Sequence, residues 1–296
     1  MADQKLILVT GGAGFIGSHL CKRLAADGHR VISLDNYFTG SRENHVPGVD
    51  YREGHTKDVE KHVPETPDLI YHLGEYSRVA KSLEEPELVF DLNIAGTFGI
   101  LEFWRKKKKS KLVYAGSSTK SVGPREDGTT GRNLAPYTWA KAANSELVCN
   151  YARWYGLPYA ITYFYNVYGP GERANVGSYG TVVETFIERW RAGIPCEVRS
   201  PGTQERAFTH VEDTVEGLVL VGEKGEGDEY GIAAKETHTL LDIVRMLGAE
   251  AIMLSPTPTT RSEAGAAADT TKLEALGWKQ GHTLLQYLGE IKRVHD

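Results

Sequence analysis

From Lys5 to Phe164 the chain alternates short apolar runs with longer amphipathic segments. A short, nearly continuous apolar run bounded by polar or glycine-containing turns suits a strand covered on both faces. On that basis strands are expected at Lys5–Thr10, Arg30–Asp35, Val49–Glu53, Asp68–Leu73, Lys111–Ala115 and Tyr159–Phe164. Apolar residues recurring at helical spacing predict helices at Phe15–Asp27, Glu87–Lys107 and Pro136–Tyr155. Strands alternating with helices indicate βαβ units, and right-handed crossovers then give an α/β fold with a doubly wound parallel sheet.

After Asn166 this rhythm loosens. A glycine-rich stretch, Gly169–Gly180, precedes a helix near Thr181–Ala192, and short strands and helices follow. Pro, Gly, Ser and Thr punctuate Ser255–Gly265 before a last helix near Thr283–Val294. We therefore expect a sheet domain over residues 1–165 and a smaller interleaved α/β cap over most of residues 166–296. Residues of about 208–235 are expected to return to the sheet. The active site is expected in the cleft between the two parts.

Bulk properties narrow the class. With 296 residues, 41% of them hydrophobic, the chain is long enough for a sizeable core and is no small stapled module. A formal charge of -5 leaves no basic excess for gripping a phosphate backbone, which argues against nucleic acid as a partner. The five cations Arg105 to Lys109 follow an apolar helical stretch and precede a strand, so they suit a solvated helix C-terminus facing the helix dipole. Cys21, Cys149 and Cys196 form no C-x-x-C pair and have no companion histidine spacing, so reduced thiols and no metal are expected. Lys5–Thr10 is too short for a signal-peptide core, and no stretch approaches the roughly 20 apolar residues of a membrane span. A cytoplasmic protein without membrane partners is the expectation.

The first strand runs into Thr10-Gly11-Gly12-Ala13-Gly14-Phe15-Ile16-Gly17 and then a helix. Gly11, Gly14 and Gly17 supply a tight turn, close backbone approach to a pyrophosphate and close helix packing, while free amides at the helix start face the anion. Strand, glycine turn and helix in that order point to a Rossmann dinucleotide site. The second strand ends in Leu34-Asp35, eighteen residues beyond Gly17, where a carboxylate suits ribose hydroxyls and repels a 2′-phosphate. NAD is therefore favoured over NADP.

Tyr137 and Lys141 begin the helix after Pro136, and their spacing of four puts them on one face, one turn apart. A cation near a phenol favours the phenolate, which makes Tyr137 a usable general acid or base. The fifth strand ends in Ala115-Gly116-Ser117-Ser118-Thr119, and a hydroxyl there can bond the same substrate oxygen as Tyr137.

In combination with His72-Leu73-Gly74, Asn93, Gly96-Thr97 and Tyr165-Asn166-Val167-Tyr168-Gly169-Pro170, these motifs give a specific pattern over nearly the whole chain. Gly202-Thr203-Gln204-Glu205-Arg206-Ala207-Phe208 and Val211-Glu212-Asp213 extend it. The chain resembles the extended short-chain dehydrogenase/reductase family, in particular its nucleotide-sugar epimerases. The resemblance implies that Gly11, Gly14, Phe15, Ile16, Gly17, Asp35, Asn36, Leu73 and Gly74 hold NAD together with Tyr137 and Lys141. It implies Tyr137 as acid/base, Lys141 on the nicotinamide ribose, and Ser118 on the reacting oxygen, with Thr119 next in line. It also implies Asn166, Arg206 and Arg261 on the diphosphate of a UDP-hexose, and guanidinium groups suit that double anion. The implied reaction is 4-epimerisation through a transient 4-keto sugar, in a homodimer joined through the helices Glu87–Lys107 and Pro136–Tyr155.

Several positions depart from the family. His55 and Thr56 stand where an aspartate usually meets adenine, Ala207 replaces the aspartate after Arg206, and Glu75-Tyr76 replace small or apolar residues after the fourth strand. Altered adenine contacts and an unusual sugar pocket are expected, and Glu75 is left open between a contact with substrate or nicotinamide and a partly solvated loop charge. Dehydratases and decarboxylases of the family carry carboxylates after the strand-end hydroxyl, where this chain has Thr119-Lys120. Epimerisation is therefore preferred over a net oxidoreductase or dehydratase. A non-catalytic NAD-binding regulator on the same fold is the alternative of another class.

Overall fold

A computed structural model describes residues 3–118, 131–172, 180–256 and 268–295. Seven strands form one parallel sheet: β1 Leu6–Thr10, β2 Arg30–Asp35, β3 Val49–Glu53, β4 Leu69–His72, β5 Lys111–Ser117, β6 Tyr159–Phe164 and β7 Gly227–Ile232. Their order across the sheet is 7-6-5-4-1-2-3, with Val9 of β1 level with Ser33 on one side and Tyr71 on the other. The order reverses beside β1, and in open parallel sheets that switch point is where ligands bind, beyond the strand C-termini.

Neighbouring residues on a strand point to opposite faces, and here both faces are covered. Ile7 and Val9 pack with Leu20, Leu24, Leu218 and Val221 on one side. Leu8, Ile70 and Leu112 pack with Leu101, Phe103, Trp104 and Val148 on the other. Two covered faces explain why these strands read as unbroken apolar runs. Helix α1, Phe15–Ala26, and α5, Val211–Lys224, cover the first face; α2, Gly96–Lys107, and α3, Pro136–Tyr155, cover the second.

The start of α3 follows from local chemistry. Pro136 occupies the first turn, where its missing N–H costs no helix bond, and the Ala135 amide donates to Thr138 Oγ1 at 3.0 Å. Gly156, at φ 63°, ends it. The expected single helix Glu87–Lys107 is instead interrupted: Pro86–Val89 and α2 flank a π-helical turn at Phe90–Ala95. In that turn Asn93 is fully buried, accepts from the Tyr76 amide at 2.7 Å and donates to the Tyr76 carbonyl at 3.1 Å. Satisfying a buried backbone segment thus takes precedence over regular helix geometry.

A second, smaller core gathers α4, Val182–Arg191, α6, Leu240–Leu247, and α7, Leu284–His295, around Phe186, Ile187, Val198, Phe208, Ile243 and Leu288. Cys196–Arg199 pairs in parallel with Ala251–Leu254 in this part. Between its segments the chain passes through α5 and β7 on the main sheet. Among the described residues no helix is long and apolar enough to cross a membrane.

Candidate active site

A cleft of about 420 Å³ runs along the C-terminal ends of the sheet strands. Its lining includes Gly11, Gly14, Phe15, Ile16, Gly17, Asp35, Asn36, Leu73, Gly74, Ser118, Tyr137, Lys141 and Asn166. Gly11 has φ +73°, and a Cβ there would lie 2.9 Å from the Gly74 backbone. At Gly17 a Cβ would fall 2.0 Å from the Gly11 carbonyl oxygen, so the glycine is what lets α1 approach the turn. Helix α1 opens on Gly14 with no side-chain cap and no acidic residue in its first turn, which leaves amides facing the cleft. These features fit a dinucleotide pyrophosphate.

Asp35 closes the other side. Its carboxylate accepts from the amides of Ala13 at 2.9 Å and Tyr37 at 2.8 Å. Burial outweighs those two hydrogen bonds and holds its pKa above the usual carboxylate value. The group sits at the end of β2, at the position suited to adenosine ribose hydroxyls.

At the opposite end of the cleft the Tyr137 hydroxyl donates to Ser117 Oγ at 3.4 Å, and both residues are buried. The strand-end hydroxyl beside the phenol is therefore Ser117, one residue before the expected Ser118, although Ser118 also lines the cleft. Strand β5 runs to Ser117 rather than stopping at Ala115. Thr119 lies outside the described residues.

Lys141, one helical turn from Tyr137, donates to the Ala115 carbonyl at 2.5 Å and forms an ion pair with Glu75. The Glu75 side chain is only 1% exposed. It is no loop charge: it also accepts from Thr97 Oγ1 at 2.8 Å, Asn144 Nδ2 at 2.8 Å and the Tyr114 hydroxyl at 3.1 Å. Burial alone would raise its pKa, but Lys141, with these hydrogen bonds, holds it below the usual carboxylate value.

Residues 7–233 match the sequence model of the NAD dependent epimerase/dehydratase family. The chain belongs to this family. It is 30% identical over 258 residues to the UDP-N-acetyl-alpha-D-glucosaminuronate decarboxylase of Bacillus cytotoxicus, covering 82% of this chain and 79% of that one. The UDP-glucose 4-epimerase of Thermus thermophilus, solved in complex with NAD, is 29% identical with a TM-score of 0.84 and 96% of each chain covered. That of Thermotoga maritima, solved with UDP-glucose, is 28% identical with a TM-score of 0.86, covering 98% of this chain and 99% of that one. The protein is thus a nucleotide-sugar epimerase/dehydratase-family enzyme with the family's NAD cofactor and Rossmann fold.

Other expected residues are placed as follows. Asn166, at φ 41°, lines the cleft but its Nδ2 donates to the Ala207 carbonyl at 2.8 Å. Arg206 donates through Nε and Nη2 to Gln204 Oε1 at 3.1 and 2.7 Å and is not among the lining residues. Arg261 lies outside the described residues. His55 is not among the lining residues; its Nε2 lies 3.0 Å from Asp91 Oδ2, with Lys57 on the other oxygen of the same carboxylate. Outside the cleft, His210, Glu212 and His282 bring ligand-type atoms within 4.8 Å of one another. His210 Nδ1, however, accepts the Glu212 amide at 3.3 Å as a helix cap, and its ring stacks on His282 with centroids 4.3 Å apart. A capped, stacked imidazole does not present a lone pair to a shared ion. Sequence reasoning passed over Ser117, Thr97 and Asn144 as site residues: Thr97 and Asn144 lie on separate helices, and no local spacing joins them.

Proposed function

We propose that the protein is an NAD-dependent nucleotide-sugar 4-epimerase acting on a UDP-hexose. The observation that carries this reading is the meeting, in one cleft, of the glycine cradle, Asp35 and the buried Tyr137, Lys141 and Ser117 set. Bound NAD would accept the hydride from sugar C4 and return it to the opposite face of the 4-keto sugar. Tyr137 takes the proton of the 4-hydroxyl as the hydride leaves and gives it back on return, so the cofactor is regenerated. Ser117 or Ser118 bonds the reacting oxygen, and Lys141 has one N–H left, after Glu75 and Ala115, for the nicotinamide ribose. Thr119-Lys120 supplies no carboxylate where elimination or decarboxylation needs one.

The reading extends to assembly and placement. Exposed aromatic residues Phe90, Phe98 and Trp139, on the π-helical turn, α2 and α3, favour a homodimer joined through these helices. We place the division between sheet domain and cap near residue 165, and the protein in the cytoplasm. The deciding experiment incubates the purified protein with a panel of UDP-sugars, without added NAD, and identifies products by NMR. Interconversion of 4-epimers supports the reading; a product formed only as coenzyme is consumed in equal amount shows a net oxidoreductase instead.

A further inference from the structure

We propose that Glu75 is a positioning residue for the reaction: as counter-ion to Lys141 it holds the ammonium in place and balances its charge beside Tyr137. The inference rests on the reading of Tyr137 as acid/base.

A carboxylate this deeply buried persists in charged form only when its acceptor sites are filled. Here they are. Oε2 faces Lys141, and Oε1 takes donors from Thr97, Asn144 and Tyr114. Those donors come from three elements, α2, α3 and β5, so Glu75 ties the cleft floor to the helix that carries Tyr137.

The hydrogen-bond chain behind it fixes the protonation states. The Leu73 and Gly74 amides donate to Thr10 Oγ1 at 3.2 and 3.0 Å and fill both its acceptor sites, and Thr10 Oγ1 lies 2.7 Å from His72 Nδ1. His72 Nε2 lies 3.0 Å from Thr97 Oγ1, whose proton goes to Glu75. Protons can be placed consistently only if the Thr10 hydroxyl donates to Nδ1 and His72 carries its proton on Nε2, a neutral imidazole. Burial agrees, holding the His72 pKa down to about 4, and it also holds the Tyr114 phenol well above its usual value, with Glu75 adding to the effect. Among the described groups around Glu75, which are His72, Tyr114, Tyr137 and Lys141, the lysine is the cation that answers it.

Lys141 in turn is 7% exposed at its side chain. Without Glu75 its ammonium would be a buried net charge held by one carbonyl, free to shift and acting unopposed on the phenol one turn away. With Glu75 the pair is neutral, and two of the three ammonium donors are fixed.

The test uses the full-length protein in four forms: wild type, Glu75→Gln, Lys141→Met and the double variant. NAD affinity is measured by calorimetry and turnover as a function of pH. We expect Glu75→Gln to weaken NAD binding by about fivefold and to lower kcat at least about tenfold, in the range of positioning effects. Its ascending pH–rate limb should move to lower pH, because an unbalanced cation favours the phenolate. In the Lys141→Met background the same substitution should change NAD affinity and kcat little, since Glu75 acts through Lys141. Equal losses from Glu75→Gln in both backgrounds, or an unmoved pH limb, would overturn the proposal. If Glu75→Gln alone does not fold, the double variant, which removes both charges, is compared with Lys141→Met, and a further loss there overturns it. Should no nucleotide sugar turn over, the functional reading fails, while the NAD affinities still decide whether Glu75 acts through Lys141.

Discussion

The hydroxyl of Tyr137 and Oγ of Ser117 lie 3.4 Å apart, a long separation for two hydroxyls that both sit buried at the cleft wall. A substrate 4-hydroxyl entering between them would accept from Ser117 and donate to Tyr137, and the 4-keto oxygen formed from it would accept from both. Tyr137→Phe should therefore retain NAD and lose turnover by about 10²- to 10⁴-fold, the usual contribution of a general acid or base. Ser117→Ala should cost more in kcat than Ser118→Ala. Steady-state rates on the active UDP-sugar check this, and a larger loss at Ser118 would move the reacting oxygen one residue along the strand.

Asp35 receives two backbone amides, yet its carboxylate still faces the cleft. Removing its charge should weaken NAD and relax the bar against a 2′-phosphate. For Asp35→Ser we expect the NAD dissociation constant to rise by about tenfold, on the scale of a charge-assisted hydrogen bond. The ratio of NADP to NAD affinity should rise with it. An unchanged ratio in calorimetric titrations would mean that discrimination lies elsewhere, with Arg42 the nearest candidate: it pairs with Glu53 at 2.6 Å on the neighbouring strand.

What the chain reveals on its own depends on the range of the interaction. The six strands from β1 to β6 and helices α1 and α3 were legible because both faces of the sheet are covered and the strands read as plain apolar runs. Helix α3 even starts and stops where its proline and glycine say it should. The glycine turn and Asp35 are local and ordered, so the nucleotide end could be read as well. Glu75 could not be: its partners Thr97, Tyr114, Lys141 and Asn144 are separated from it by 22 to 69 residues. Only the sheet order, which sets β4 beside β5, brings them together. The choice between Ser117 and Ser118 was not legible, because two neighbouring serines carry no signal of which one lies beside Tyr137.

Phe98 is 52% exposed and Trp139 42% exposed, on helices whose other faces are filled with core. The Trp139 ring lies 5.7 Å from that of Phe90, which makes the aromatic surface continuous. A two-fold contact through this face would bury it twice. Light scattering coupled to size exclusion should give twice the chain mass, and Phe98→Glu with Trp139→Glu should give a folded monomer. A wild-type monomer, or a dimer indifferent to both substitutions, would remove this face from the assembly.

Glu172 also lines the cleft, and it is 9% exposed; its Oε1 has no hydrogen-bond partner among the described residues, while Thr181 donates to Oε2 at 2.6 Å. Burial pushes its pKa up from 4.5 to about 7, against the opposing pull of Thr181 and Arg78. A raised carboxyl pKa favours the protonated fold, so stability falls as pH climbs from about 4.5 to about 7 and is level above. At about 1.4 kcal/mol per unit the cost at pH 8 reaches about 3 kcal/mol at most. His72 works in the opposite sense: its pKa, held at about 4 by burial, makes stability fall as pH drops from about 6.5. A single melting curve therefore mixes the two, and the comparison with Glu172→Gln separates them because both proteins carry His72. The variant should melt about 5 °C above wild type at pH 8, and that advantage should shrink to about a quarter at pH 5. An advantage independent of pH would show that the carboxyl is not held protonated.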